Sequence, residues 1–212
     1  MENTNFKANN WKNSNIQVFW GEIAPSDHLV QIYENEGHFL NTLEGFAGSG
    51  ILSGDSVVII AKQSHLDQLQ QRLINHNFDL ASLMKNDLYI PLEANDILAK
   101  FMVNSWPDEK LFNDVVSAIL KRARKNDRKV RAFGEMVAIL WEQGNNGATV
   151  RLENLWHNLH SMDNFSIYCA YPKSGFTRNY ADSISEICKA HSKIIDGENR
   201  PSTEIYWSEV GV

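Results

Sequence analysis

The sequence predicts a three-layer α/β/α fold built on a mainly parallel β-sheet. Short apolar segments typical of strands alternate along the chain with segments whose apolar residues recur every three or four positions, as in helices. The segment Ser56 to Ala61 (SVVIIA) is apolar on both faces, which is expected of a strand covered by helices on either side. Right-handed crossovers in such a chain place helices on both faces of the sheet.

In the first half of the chain, strands are predicted at His28 to Tyr33 and at Ser56 to Ala61. Between them, apolar residues from Phe39 to Ala47 recur at helical spacing, and a turn follows at Ser53 to Asp55. Ser64 and Asp67 predict a capped start for the next helix.

In the second half, the same patterns predict further strands and helices. The predicted strands are Asp87 to Leu92, Lys129 to Phe133 and Phe165 to Ala170. The predicted helices are Asn95 to Val103, Asp108 to Lys125 (with Pro107 in its first turn), Met136 to Glu142, Ala148 to Ser161 and Thr177 to His191, with a turn at Gly144 to Gly147.

The composition indicates one globular domain rather than a disordered or membrane-spanning chain. Of 212 residues, 43% are apolar and 22% charged, which is ordinary for a globular protein. We expect a polar leader at residues 1–24, one domain at 25–191 and a C-terminal tail at 192–212. No segment resembles a membrane span or a signal peptide, and Cys169 and Cys188 are expected as buried free thiols, so a cytoplasmic location is predicted.

The charge pattern disfavours direct nucleic-acid binding. The formal net charge is −6, although seven Lys or Arg residues fall between Lys121 and Arg131. Positive charge suits the exposed carbonyl groups at the end of a helix, so we favour a structural role for this basic cluster.

Ligands of open α/β sheets bind beyond the carboxyl ends of the strands, so the residues that follow each strand are candidates for a site. Tyr33 and Glu34 follow the first strand, Glu135 follows the Lys129 strand and Tyr171 follows the last one. The turn YENEGHF holds two carboxylates and one glycine in place of a phosphate-binding loop, so ordinary ATP binding is disfavoured.

Two acids in apolar segments leave alternatives open. Glu135 lies in the apolar segment VRAFGEMVAILW, where an unpaired carboxylate would be costly. It is either a ligand-facing group or half of a buried ion pair with Arg131, its nearest candidate partner in sequence. Glu153, between Leu152 and Leu155, poses the same choice.

Other candidate residues are aromatic or imidazole side chains. Tyr33 and Trp141 are candidates for lining an aromatic pocket. His157 and His160 stand three residues apart on a predicted helix, but they lack a third clustered ligand. We therefore expect them to be surface histidines and predict neither a metal nor a cofactor. His28 is expected to be a core or edge histidine.

Catalytic motifs are not evident. The chain has neither a Gly-x-Ser-x-Gly elbow nor a Cys-x-x-Cys pair. Paired acids such as Glu34 and Glu135 are the only candidates for general acid and base, and we expect no enzyme.

Several segments in order, HLVQIYENEGHFL, GILSGDSVVIIA, VRAFGEMVAILWEQGN, RLENLWHNL and FSIYCAYP, resemble the MEDS domain, the methanogen and methylotroph sensory domain. The resemblance covers about His28 to Pro172. It implies a RecA-like domain that lacks the phosphate-binding loop and senses a small molecule, with hydrocarbon derivatives as the proposed ligands. It also implies work beside a histidine kinase or transcription regulator. The motif positions are His28, Tyr33, Glu34, Phe39, Arg131, Gly134, Glu135, Trp141, Glu153 and Tyr171.

These observations predict a sensory module that binds its ligand without turnover and signals to a separate partner, with a homodimer also possible. The alternatives are an enzyme that uses Glu135 or Glu34, and a degenerate nucleotide-binding or protein-interaction domain.

Overall fold

A computed structural model describes residues 27–175, 191, 193–196 and 205–206. The predicted leader and all of the predicted helix from Thr177 except His191 lie outside these residues. The strands are β1 (His28–Tyr33), β2 (Ser56–Ala61), β3 (Tyr89–Glu93), β4 (Met102–Val103), β5 (Trp106–Pro107), β6 (Val130–Gly134), β7 (Ser166–Pro172), β8 (Lys193–Asp196) and β9 (Ile205–Tyr206). The helices are α1 (Glu36–Leu52), α2 (Gln63–Asn75), α3 (Leu80–Lys85), α4 (Ala94–Leu98), α5 (Glu109–Ala123), α6 (Met136–Glu142) and α7 (Asn146–Met162).

The main sheet has the strand order β3-β2-β6-β7-β1-β8-β9. Every neighbouring pair from β3 to β8 is parallel, and β9 joins β8 antiparallel. The predicted three-layer α/β fold with a mainly parallel sheet is therefore confirmed. Lys193–Asp196, in the segment predicted as a tail, forms β8 beside β1.

Two apolar cores cover the two faces of the sheet. Residues of α1, α2 and α3 pack on one face, and residues of α4, α5, α6 and α7 pack on the other. Strand β2 supplies both cores, because Val57 and Ile59 point to the first face while Val58 and Ile60 point to the second. This alternation explains why the segment is apolar throughout.

The helix predicted over Asn95 to Val103 is wrong in its second half. Helix α4 ends at Leu98, and Met102–Val103 pairs with Trp106–Pro107 in a two-stranded hairpin. Asn104 and Ser105 form its two-residue turn with φ of 50° and 63°, values that a twisted hairpin favours. Pro107 consequently lies in β5 and not in the first turn of the helix, as predicted. Helix α5 begins at Glu109 and is capped by the side chain of Asp108, the residue before it.

Three smaller differences concern helix starts. Helix α2 begins at Gln63 without a side-chain cap, so the predicted cap by Ser64 is wrong. Helix α3, which was not predicted, is a short turn capped by Asp79. Helix α7 begins at Asn146, inside the predicted turn, because Asn145 accepts a hydrogen bond from the Ala148 backbone.

The basic cluster is held by neighbouring acids and carbonyl groups. Arg122 pairs with Asp87, Arg124 pairs with Asp163, and Arg128 donates to the backbone of Asn86. These contacts tie the end of α5 and the start of β6 to nearby loops. In the part of the chain that the structure describes, no helix is long and apolar enough to cross a membrane.

Candidate functional site

The strand order creates a crevice between β2 and β6. From β2 the chain crosses by α2 and α3 to β3, while from β6 it crosses by α6 and α7 to β7. These crossovers leave in opposite directions and lie on opposite faces of the sheet. Such a point, where neighbouring connections diverge beyond the carboxyl ends of strands, is the usual ligand site of open α/β sheets.

Glu135 lies at this crevice. Its backbone N–H donates to the carbonyl of Ile60 in β2, which extends the ladder past the end of β6. Its side chain is 2% exposed, and its Oε2 accepts from the backbone N–H of Lys62 at 2.9 Å. Lys62 immediately precedes α2, so the Glu135 carboxylate satisfies a backbone N–H at the amino end of that helix. An acidic group there also meets the positive end of the helix dipole.

His65 is the second group that Glu135 contacts. Its Nδ1 lies 2.9 Å from Glu135 Oε2, and its Nε2 lies 3.2 Å from Glu36 Oε1. Burial alone would lower the pKa of His65, but the hydrogen bond to Glu135 and the charges of Glu135 and Glu36 raise it above its ordinary value. The imidazole therefore links a buried carboxylate to one that is 56% exposed.

Lys62 and Tyr33 complete the surroundings of Glu135. The Lys62 Nζ lies 3.6 Å from Glu135 Oε1 and 2.6 Å from Glu142 Oε2. The Tyr33 ring stacks on Phe39 with centroids 4.7 Å apart. Burial, followed by the charge of Glu135, raises the pKa of the Tyr33 hydroxyl. At neutral pH the Tyr33 hydroxyl is therefore protonated and neutral.

A surface cavity of about 470 Å³ lies at the other end of α6. Its lining includes apolar Leu98, Ala99, Met102 and Leu140 and the amides Gln143 and Asn145. Leu140 is five residues beyond Glu135, a distance of roughly 7–8 Å along a helix. The cavity is open to solvent, and its volume falls within the range of small-molecule sites.

A second group of polar residues is buried beneath α7. His28 from β1, Glu153 from α7, Cys169 from β7 and His191 before β8 each offer one ligand atom, and these atoms lie within 4.8 Å of one another. Burial, followed by the charge of Glu153, raises the pKa of the Cys169 thiol well above its ordinary value. Two imidazoles, a thiol and a carboxylate are all groups that bind transition metals.

The hydroxyl of Tyr171 donates to Glu153 Oε1. Trp141 packs edge-on against the Tyr171 ring, with centroids 6.3 Å apart, and is 5% exposed. Trp141 therefore lies on the α7 face of the sheet, whereas Tyr33 lies on the α1 face. The two aromatic residues predicted to line one pocket are on opposite faces.

Arg131 does not pair with Glu135, and that interpretation is wrong. Its Nε lies 2.8 Å from Asp55 Oδ2, and its Nη1 lies 3.0 Å from Ser49 Oγ. Both side chains of the Arg131–Asp55 pair are nearly buried, at 7% and 11% exposure. Arg131 and Glu135 stand four residues apart along an extended strand, about 13 Å, so they lie at opposite ends of the sheet.

Glu34 lies at the surface, where it pairs with Lys173. The predicted site residues thus divide among four places. Tyr33 and Glu135 lie at the crevice, whereas His28, Glu153 and Tyr171 lie beneath α7 with Trp141 beside them. Arg131 lies at the amino ends of the strands, and Glu34 lies at the surface.

Sequence analysis missed His65 and His191 as members of these groups, and it treated Cys169 only as a buried thiol. His65 occupies one position of an amphipathic helix, and nothing in that periodicity distinguishes it. The half-buried His160, expected at the surface, lies with its ring centroid 5.6 Å from that of His28. These residues are distant in sequence, and only the folded sheet brings them next to their partners.

Comparison with known proteins gives a family and a fold. The model of the MEDS family, described as the methanogen/methylotroph, DcmR sensory domain, matches residues 27–192. No curated protein matches the chain. A solved structure from Pyrococcus horikoshii OT3, described as a structural study, aligns with a TM-score of 0.55 at 10% identity, covering 93% of this chain and 100% of that one. At that identity the likeness concerns the fold alone.

Proposed function

The chain belongs to the MEDS family of sensory domains, and from that premise we propose that it binds a small organic ligand at the crevice between β2 and β6. The observation that carries this proposal is the position of Glu135. Its buried carboxylate is the point where α2, on one face of the sheet, and α6, on the other, are held together. A ligand that engages this carboxylate competes with the contacts that join the two helices.

The cavity at the end of α6 is the proposed place for the body of the ligand. Its apolar lining suits a hydrocarbon derivative, and the amides of Gln143 and Asn145 supply polar contacts for orientation. Tyr33 and His65 provide donors at the crevice. A ligand that spans the cavity and the crevice would move α6 relative to α2.

The movement of α6 is the proposed signal. A ligand shifts a conformational equilibrium only to the extent that it binds one state more tightly. In the proposed switch, opening of the crevice breaks the contacts of Lys62 with Glu135 and Glu142. A separate partner, such as a histidine kinase or a transcription regulator, or a second copy of the chain would read the change.

Nucleotide binding is not favoured at the turn after β1. The amino end of α1 is capped by the Asn35 side chain, and Glu36 stands in its first turn. A phosphate would meet this carboxylate and that of Glu34. An acid–base enzyme is the second candidate, since His65 bridges two carboxylates as a proton-transferring imidazole could.

The test is a thermal-shift screen of the purified chain against metabolites, nucleotides and small hydrocarbon derivatives, with analysis of each hit for turnover. A ligand held only by the folded state raises the melting temperature by mass action. We expect a saturable shift with a small organic molecule, lost in Glu135→Gln and retained in Glu109→Gln, an exposed acid on α5. Consumption of the hit would favour the enzyme, and a shift with ATP alone would contradict the proposal.

A further inference from the structure

We propose that His28, Glu153, Cys169 and His191 bind a divalent transition-metal ion of the zinc class. The proposal is independent of the ligand at the β2–β6 crevice. It concerns strands β1 and β7, where these four side chains meet beneath α7. We call them the His-Cys-Glu cluster.

The spacing of the ligand atoms is close to that of a coordination sphere. His191 Nε2 lies 3.6 Å from Glu153 Oε2, His28 Nε2 lies 4.0 Å from the same oxygen, and Cys169 Sγ lies 3.9 Å from His28 Nε2. Metal–ligand distances of about 2.0–2.3 Å in a tetrahedron place neighbouring ligand atoms about 3.3–3.7 Å apart. These three pairs are therefore at most about 0.7 Å too far apart, and the remaining pairs, which all lie within 4.8 Å, would have to contract by up to about 1.5 Å through side-chain rotation.

Glu153 is oriented as a metal ligand would be. Its Oε1 accepts a hydrogen bond from the Tyr171 hydroxyl. Its Oε2, buried and without a hydrogen-bond donor among the described residues, faces both imidazoles. Carboxylates that bind metals are commonly fixed through their second oxygen in this way.

Burial and ligand number define the kind of site. The four residues are at most 4% exposed. His28 lies in β1, Glu153 in α7 and Cys169 in β7, and His191 lies two positions before β8. Four protein ligands without an open position are typical of a structural zinc site. The mixture of thiolate, imidazole and carboxylate excludes calcium and magnesium, which prefer oxygen ligands.

A metal at this place would hold His191, and with it the start of β8, against the core. Binding requires the Cys169 thiol to lose its proton, which the neighbouring cation would compensate. The alternative is a buried cluster of hydrogen bonds and ion pairs without any metal. A metal site and a metal-free cluster differ in the amount of bound metal, in the absorption spectrum of the Co²⁺-loaded protein and in the effect of chelators on stability.

The experiment uses the full chain, purified under reducing conditions, stripped with a chelator and titrated with Co²⁺ and then Zn²⁺. We expect one equivalent of Co²⁺ with a thiolate-to-cobalt charge-transfer band that Zn²⁺ displaces, and a higher melting temperature with Zn²⁺ than with chelator. Cys169→Ser should abolish the band, and Glu153→Gln and His191→Ala should weaken binding at least about 10-fold.

Two matched variants serve as controls. His157→Ala removes an exposed histidine one turn from Glu153 on the same helix, and Cys188→Ser removes the other thiol of the chain. Both should retain the band and the affinity. Loss of the band in Cys188→Ser, or no stoichiometric metal in the wild-type chain, would overturn the proposal. If Cys169→Ser does not fold, affinities of folded Glu153→Gln and His191→Ala equal to wild type would also overturn it.

Discussion

Replacing Arg131 by Met should destabilise the domain without affecting ligand binding. The Arg131 guanidinium is hydrogen-bonded to Asp55 at 2.8 Å and to Ser49 at 3.0 Å. Without it, the Asp55 carboxylate is left nearly buried beside an apolar side chain. Breaking a buried ion pair by removing one partner costs about 3–5 kcal/mol.

The expected cost lies at the lower end of this range. Asp55 and Arg131 both line an open cavity of about 450 Å³ at the amino ends of the strands, so water can approach the orphaned carboxylate. We expect a loss of about 3 kcal/mol. In a chain of this length that corresponds to a fall in melting temperature of roughly 6–12 °C.

The assay is urea denaturation of wild type, Arg131→Met, Asp55→Asn and the double variant. Because the two groups contact one another, the double variant should lose less free energy than the sum of the single variants, by about 1–3 kcal/mol. Affinity for any ligand found in the screen should stay the same in Arg131→Met. Unchanged stability together with weaker ligand binding would refute the assignment of Arg131 to a structural pair.

Two further perturbations test the crevice and the packing. The pKa of His65 is raised in the folded protein, so its bonds to the carboxylates add stability that is fully present below the unfolded pKa of about 6.5 and is lost as pH rises through the higher folded pKa. The difference in unfolding free energy between wild type and His65→Gln should therefore shrink as pH rises above about 6.5, and a constant difference would contradict this. A Cβ added at Gly50 would lie 2.8 Å from the nearest side-chain atom, whereas one at Gly134 would lie at 3.6 Å. Gly50→Ala should therefore cost about 1–3 kcal/mol in urea denaturation and Gly134→Ala much less, and equal losses would refute the packing argument.

Local patterns were sufficient to predict strands β1, β2, β3, β6 and β7 and most of the helices. His28 to Tyr33, Ser56 to Ala61 and Met136 to Glu142 were predicted with the bounds found in the structure, because their periodicity and flanking turns are strong. The β4–β5 hairpin was missed because a two-residue turn of Asn104 and Ser105 carries no glycine.

The candidate site was predictable only in part. Glu135 could be identified because it follows a strand directly, where ligands bind in this fold class. Its assigned partner was wrong because four residues span one turn of a helix but most of the length of a short strand. His65 and His191 belong to other elements, and only the tertiary arrangement of the sheet brings them to their neighbours.

The position of β1 governs the order in which this sheet can be assembled. The first of the described strands lies between β7 and β8, and Tyr33 is paired with Pro172, 139 positions later in the chain. On a ribosome that adds about 5–20 residues each second, β1 waits roughly 7–28 s for its neighbour to be synthesised. Until then, the apolar residues Leu29 and Val30 of β1 lack the β7 strand with which they pair in the folded protein. Pairing across so many residues also slows folding of the complete chain. Substitutions in β7 should consequently reduce the yield of folded protein during synthesis more than equally destabilising substitutions in β2 or β3.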